Sequence, residues 1–208
     1  MTAQNPTDTL RQIVCANASR ERIDYPDFAE AVAALCETRR EPTQAAILRE
    51  KLDDLRAACR GRDSFPGFFP TPKRIARLMI DAAQIGQDVR RILDPSAGIG
   101  SVLDELGPLQ VKAQAIEISP SLREICRLKG HAIAGAPDDF LAFKPADDDR
   151  PDIVLMNPPF ENDQDVHHVM HAYQTCRGRT VAVMSRGWTF RQNRACSAFR
   201  EFVQALGD

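Results

Sequence analysis

Asn157-Pro158-Pro159-Phe160 is the stretch of this 208-residue chain whose residue types and order come nearest to a piece of chemistry. Two consecutive prolines can neither extend a strand ladder nor begin a regular helix, so they hold a stiff, extended loop. Pro159 has no N–H, and nothing there competes for the Pro158 carbonyl. That carbonyl and the Asn157 side-chain oxygen are two acceptors able to point the same way, and Phe160 adds a flat ring. Two acceptors and a stacking face suit a planar group bearing an –NH2, such as a nucleobase. The loop follows Asp152-Ile153-Val154-Leu155-Met156, a short apolar run that reads as a buried strand. Open α/β sheets place ligands at the carboxyl ends of their strands. Taken alone, the four residues are equally a plain turn, so the rest of the chain must decide.

The elements needed to position such a loop are legible. Residues 7 to about 60 show helical apolar spacing (Leu10, Ile13, Val14; Phe28, Val32, Leu35; Ile47, Leu48, Leu52, Leu55) and predict a three-helix extension, residues 1–62. Gly61 to Pro72, rich in proline and glycine, predicts a loop. The remainder, 63–208, alternates strand and helix. A helix is expected from Lys73 to about Ile85. Strands are expected at Arg91–Leu93, Val111–Ile118, Ala132–Ala134, Ile153–Met156 and Thr180–Met184, with helices near 100–107, 120–129, 164–176 and 193–206. This order predicts an α/β domain with a parallel sheet covered on both faces.

A second set of residues falls at the strand ends. Asp94-Pro95-Ser96-Ala97-Gly98-Ile99-Gly100 follows the first strand, and its small residues let backbone approach a ligand closely. The spacing is not that of the nicotinamide fingerprint. The second strand runs out at Glu117-Ile118, where a carboxylate can accept from ribose hydroxyls. Asp139-Phe140, after the third strand, offers an acceptor for an adenine amine beside a ring. Ahead of the sheet lies Phe68-Phe69-Pro70-Thr71-Pro72, whose Thr71-Pro72 has the form of a helix start, with Thr as cap and Pro in the first turn.

In this order of motifs, Phe68 to about Arg200 resembles the adenine-specific DNA methyltransferases, most of all short versions carried by phages and mobile elements. The segments Val166-His167-His168-Val169-Met170-His171-Ala172-Tyr173 and Val181–Gly187 share the resemblance. It implies a Rossmann-like class I methyltransferase fold, here without the final strands, and S-adenosylmethionine as cofactor. It implies Phe69, Thr71 and Pro72 at the cofactor's methionine end, with Asp94, Pro95, Ser96, Ala97, Gly98 and Gly100 around its amino-acid end. Glu117 and Ile118 fall at the ribose, and Asp139 and Phe140 at the adenine. Asn157, Pro158, Pro159 and Phe160 form the catalytic loop, with Asn157 also beside the cofactor.

Composition narrows the remaining classes. With 43% apolar and 27% charged residues the chain is an ordinary globular one. No apolar run approaches ~18 residues, so no membrane span is expected. No signal peptide is visible, and six scattered cysteines without a C-x-x-C pair read as reduced thiols of a cytoplasmic protein. A net charge of −2 excludes a generic polyanion binder. Locally, however, residues 177–200 hold six arginines and no carboxylate. That is either a solvated helix face or a DNA-contacting surface, for which Arg186, Arg191 and Arg194 are the candidates. His167, His168 and His171 lack the companion ligands of a metal site, and no metal is expected. RNA, a protein glutamine amide or cytosine N4 remain open as acceptors, as does a non-catalytic cofactor-binding scaffold. A second copy or a partner is expected at the N-terminal helices or the outer sheet edge.

Overall fold

The structure, a computed structural model, describes residues 42–60, 69–107, 111–135 and 137–206. The first two helices expected from the sequence lie outside the described residues. The described chain forms helix α1 (Gln44–Arg60), α2 (Lys73–Ala83), strand β1 (Arg91–Asp94), α3 (Ser101–Asp104), β2 (Lys112–Ala115), α4 (Pro120–Leu128) and β3 (Ala132–Ile133). It continues through β4 (Ile153–Met156), α5 (Gln164–Thr175), β5 (Arg179–Ala182), α6 (Gly187–Phe190) and α7 (Arg194–Leu206). The five strands make one sheet in the order β3-β2-β1-β4-β5, every pair parallel.

Strand alternation divides the core. On one face Ile92, Ile153 and Leu155 pack with Ala76, Met79 and Ala83 of α2 and with Val102 and Leu103 of α3. On the other, Leu93, Val154 and Met156 pack with Phe140 and with Ala172 and Cys176 at the end of α5. β4 is buried at all four positions, which is why it reads as an unbroken apolar run. Asp152 sets its register, since Oδ2 accepts from both Arg90 N–H (2.8 Å) and Arg91 N–H (2.9 Å) at the entrance to β1. Arg150 closes α5 by donating to the carbonyls of Gln174, Thr175 and Cys176.

Several expectations shift. α1 packs Leu55 onto Leu122 and Ile125 of α4, and Gln44 Nε2 donates to Leu128 O at 2.9 Å. By its contacts α1 belongs to the same compact unit as the sheet, Gln44–Asp208. β2 ends at Ala115, short of Ile118, because the next residues bond to the loop after β1. The helix expected at 100–107 stops at Asp104, where Glu105 and Leu106 tighten to bonds three residues back. Thr71 does not cap α2. Pro72 stands at the N-cap, and its carbonyl takes the Ile75 and Ala76 N–H groups. No helix among the described residues is long and apolar enough to cross a membrane. Cys126, Cys176 and Cys196 are free and buried.

Gly100 sits at φ +77°, and a Cβ there would stand 2.5 Å from His131 Cδ2 and 3.1 Å from Cys126 Sγ. A Cβ added at Gly107, at φ +61°, would meet no atom of the described residues within 4 Å. Gly107→Ala should thus cost only the left-handed penalty of about 1–2 kcal/mol. Gly100→Ala should cost a further ~1–3 kcal/mol of overpacking. Urea unfolding of both variants checks this; equal losses would mean that His131 and Cys126 move aside freely.

Candidate active site

With β1 central and its neighbours on either side leading opposite ways, the loops after β1 and β4 diverge at the carboxyl edge and leave a crevice. A cavity of about 490 Å³ occupies it. Its floor comes from the loop after β1, where Pro95, Ser96, Ala97 and Gly98 all line the wall. Ala97 N–H donates to Ile116 O at 3.1 Å and Gly98 N–H to Glu117 Oε2 at 2.8 Å, so the loop folds over the end of β2. Gly98 adopts φ +55°, a conformation glycine takes at no steric cost.

Glu117 is buried, and its other oxygen accepts from Ser119 N–H at 2.8 Å. The carboxylate is thereby oriented, yet each oxygen keeps a lone pair for a hydroxyl. Ile118 beside it is 67% exposed and lines the cavity with Leu141, two apolar faces suited to a flat ring. Arg123, which the sequence did not single out, locks this corner. It donates to Glu117 O at 2.8 Å and pairs with Asp138 at 2.7 Å. Asp139 lines the cavity and caps a 3-10 turn through Leu141 N–H (3.0 Å). Phe140 is buried beneath, with the His171 ring edge-on at 4.8 Å, and His171 Nε2 lies 2.9 Å from Phe143 O.

The opposite wall is the loop after β4. Asn157 Nδ2 donates to Phe69 O and to Thr71 Oγ1, both at 3.1 Å. A carbonyl oxygen only accepts, so this contact fixes which end of the amide faces Phe69. The other end, Asn157 Oδ1, is buried and has no donor among the described residues. Such an orphan costs on the order of 1–3 kcal/mol, and its presence calls for an explanation such as a ligand donor. Phe69, Thr71, Asn157 and Pro159 all line the cavity, and the Phe69 and Phe160 rings stand 6.1 Å apart.

The remaining expected residues lie elsewhere. Pro158 is fully buried beneath the loop, and Phe160 stands against Phe69 outside the cavity wall. Pro72 belongs to the start of α2. Gly100 faces His131 and Cys126 and is not among the residues lining the cavity. Asp94 lies under the loop, 1% exposed, with Oδ1 accepting from Ser96 N–H at 3.2 Å. Burial pushes its carboxyl up to about 7, the Ser96 N–H opposes, and the Glu117 charge adds to the rise.

Glu161 and Gln164, which the sequence reading did not single out, also line the cavity, as does His168 of the three histidines read as a polar helix face or cleft lining. Gln164 and His168 are four residues apart on α5 and so share one helical face. His168 Nδ1 lies 3.5 Å from Ser96 Oγ, and burial lowers its pKa, which leaves the imidazole neutral at pH 7. No cluster of three or more potential metal ligands occurs among the described residues.

The arginines after residue 176 divide. Arg177 donates to Asp147 O, Arg179 to Ala83 O, and Arg200 to Trp188 O and Arg191 O. Arg191, expected at a nucleic-acid surface, is instead paired with Asp163 at 2.5 Å and holds that carboxyl below the usual range. Arg186 and Arg194 are exposed, with no partner among the described residues.

At the level of sequence, no family model and no curated protein matches the chain. Solved structures do match. A chain from Listeria monocytogenes, assigned to the class I S-adenosylmethionine-dependent methyltransferases, superposes with a TM-score of 0.57 at 14% identity. The match covers 90% of this chain and 68% of that one. The fold is that of a class I methyltransferase. A chain from Pyrococcus horikoshii assigned as an RNA methyltransferase gives 0.48 at 19% identity, over 66% of this chain and 68% of that one. A glycopeptide N-methyltransferase complexed with S-adenosylmethionine gives 0.43 at 18%, over 60% of each chain. The Listeria likeness establishes the fold and nothing finer. That fold implies S-adenosylmethionine, and the residues present fit it: an oriented carboxylate for ribose, two apolar faces for a purine, and a glycine-bearing loop.

The buried acid gives a signed prediction. The folded state keeps the Asp94 proton up to about pH 7, whereas the unfolded chain releases it near 3.8. Between those values the native state binds more protons, so stability falls as pH rises and levels off above about 7. Asp94→Asn should remove this slope. Unfolding free energies measured from pH 4 to 8 check it, and parallel profiles for the two proteins would contradict it.

Proposed function

We propose that this chain transfers a methyl group from S-adenosylmethionine to the exocyclic amino group of an adenine in DNA, the base turned out of its strand into the cavity. The observation that carries this is the unpartnered Asn157 Oδ1. Its amide is held so that its only free capacity is to accept, which is what an incoming –NH2 requires. An amino group has two N–H bonds, and Pro158 O is the second acceptor the loop offers.

The exocyclic nitrogen of adenine is a poor nucleophile because its lone pair is spread into the ring. Accepting its N–H bonds favours a more tetrahedral nitrogen with the lone pair free to attack. S-adenosylmethionine, held by Glu117, Ile118 and the loop after β1, would supply an electrophilic sulfonium methyl, with the electron pair of the S–C bond staying on sulfur and one proton of the methylated amine leaving to solvent. The contribution of this chain is then orientation and electrostatics. Asn157 orients the amine, Glu117 anchors the ribose, and the Phe69–Phe160 pair offers ring faces to a base outside its stack. The charge of Arg186 and Arg194, not used inside the fold, suits phosphates.

Radiolabelled methyl transfer to separate DNA, RNA and protein pools, followed by digestion, tests the substrate. Label is expected in N6-methyladenine of DNA. Label confined to RNA or to glutamine would replace the acceptor, and none in any pool would end the reading. Asn157→Ala should lower transfer about 100-fold or more with cofactor affinity nearly intact, because the loss falls on the amine. Calorimetric titration beside the transfer assay checks this, and substantial residual turnover would count against it. Glu117→Ala should weaken cofactor binding by about 1–3 kcal/mol through loss of a charged acceptor. An unchanged dissociation constant would place Glu117 outside the site.

A further inference from the structure

The connection between β5 and α7 carries a ring and two charges that the cavity does not use. Phe190, the last residue of α6, is 66% exposed. Trp188 of the same short helix turns inward and meets Phe199 edge-on at 5.1 Å. One aromatic therefore anchors the segment while the other faces out. A single exposed phenylalanine is ordinary on a protein surface. Two further observations set this one apart.

The first is how firmly the segment is held. Ser185 gives both its N–H (3.0 Å) and its hydroxyl (2.7 Å) to Asp165 Oδ2, a carboxylate only 1% exposed. Arg191 pairs with Asp163 Oδ1 at 2.5 Å and Asn193 Nδ2 donates to Asp163 Oδ2 at 2.6 Å. Arg200 donates to Trp188 O and Arg191 O from the α7 side. Gly187 lets the Arg191 guanidinium lie close, since a Cβ there would stand 3.0 Å from Cζ. Phe190 thus rides on a pinned turn. Two of the pins, from Arg191 and Asn193, land on Asp163, which lies between Glu161 and Gln164 of the cavity wall.

The second is charge. Arg186 and Arg194 flank Phe190 in the chain, both exposed and without a partner among the described residues, and the sequence from 177 to 200 holds no carboxylate. A fixed, exposed ring with an unpaired arginine on either side of it in the chain complements a ligand with flat apolar faces joined by negative charges. Single-stranded nucleic acid has that composition.

We propose that Phe190, with Arg186 and Arg194, is a stacking platform for a base adjoining the target nucleotide in an unstacked stretch of the DNA strand. This rests on the nucleic-acid reading of the cavity. In an intact duplex both faces of each base are covered by its neighbours. Extruding one base uncovers a face of the next, and a ring on a connection pinned to the turn that leads into the cavity wall can cover it. The arginines contact the phosphates on either side.

The test is fluorescence anisotropy of the full chain with a labelled single strand of about 12 nucleotides and with the matching duplex. Phe190→Ala should weaken single-strand binding roughly 5- to 150-fold, the equivalent of ~1–3 kcal/mol, without changing its salt dependence. Phe190→Trp should restore it. Arg186→Gln with Arg194→Gln should reduce the single-strand salt slope by about 1.4 in log–log terms. Wild type should favour the single strand over the duplex. An RNA strand of the same sequence serves as a second arm; tighter binding there would assign the platform to RNA and overturn the DNA source. Equal affinity of wild type and Phe190→Ala, or no rescue by Trp, overturns the proposal. S-adenosylmethionine binding should be unaltered in every variant. If Phe190 governs strand binding while wild type methylates no nucleic acid, the catalytic reading fails and the platform stands. If wild type methylates DNA and Phe190→Ala binds and turns over normally, the platform fails and the catalytic reading stands.

Discussion

One side-chain amide ties the site together. Asn157 Nδ2 spans from the end of β4 to the Phe69–Thr71 segment ahead of α2, and these are 86 to 88 residues apart in the chain. The fork holds the Phe69 ring near Phe160, recruits the Thr71 hydroxyl from any capping duty, and leaves Oδ1 as an acceptor in a dry place. Neither donor contact could form without β4 standing beside β1, which Asp152 secures at the other end of the strand. An aspartate at 157 would keep acceptors but lose both donors, so the same atom count would not hold the segment.

The charges around this amide are sorted. Glu117, Asp138, Asp139 and Glu161 surround the cavity, and Asp94 lies beneath its floor. Arg186 and Arg194, without partners among the described residues, stand on the β5–α7 connection. Carboxylates in a concave, partly desolvated wall favour a cation, while convex, solvated guanidinium groups favour a polyanion. Two ligands of opposite sign can then occupy adjacent surfaces without competing. Asp94 sits closest to the limit, since its carboxyl would otherwise stay protonated near neutrality, and a cation above the loop would draw out its charge.

The fold was legible where one force dominates. β4 is buried on both faces, so Ile153–Met156 matches the apolar run residue for residue. α2, α4, α5 and α7 have clear apolar stripes and begin within a residue of their expected starts. Boundaries failed where backbone donors and acceptors are claimed by something other than the element itself, as at Ile116–Glu117 and after Asp104. In the site, residue type was readable but direction was not. Gly100 and Asp94 have the composition of a ligand loop, yet packing against His131 and burial under the turn remove both from the cavity wall. Arg191 looked like its neighbours in sequence, and only the fold brings Asp163 to it. His168 was hidden among three histidines because helix phase, not identity, decides which one faces the cavity.

Asn162 and Asp163 are consecutive non-glycine residues in the left-handed region, at φ 53° and 57°. Asn and Asp enter this region more readily than other side-chain-bearing residues, and here Arg191 and Asn193 grip the Asp163 carboxylate. The grip joins two chain segments about 30 residues apart, so the loop that supplies Glu161 and Gln164 to the cavity wall and the connection that carries Phe190 are tied through one carboxylate.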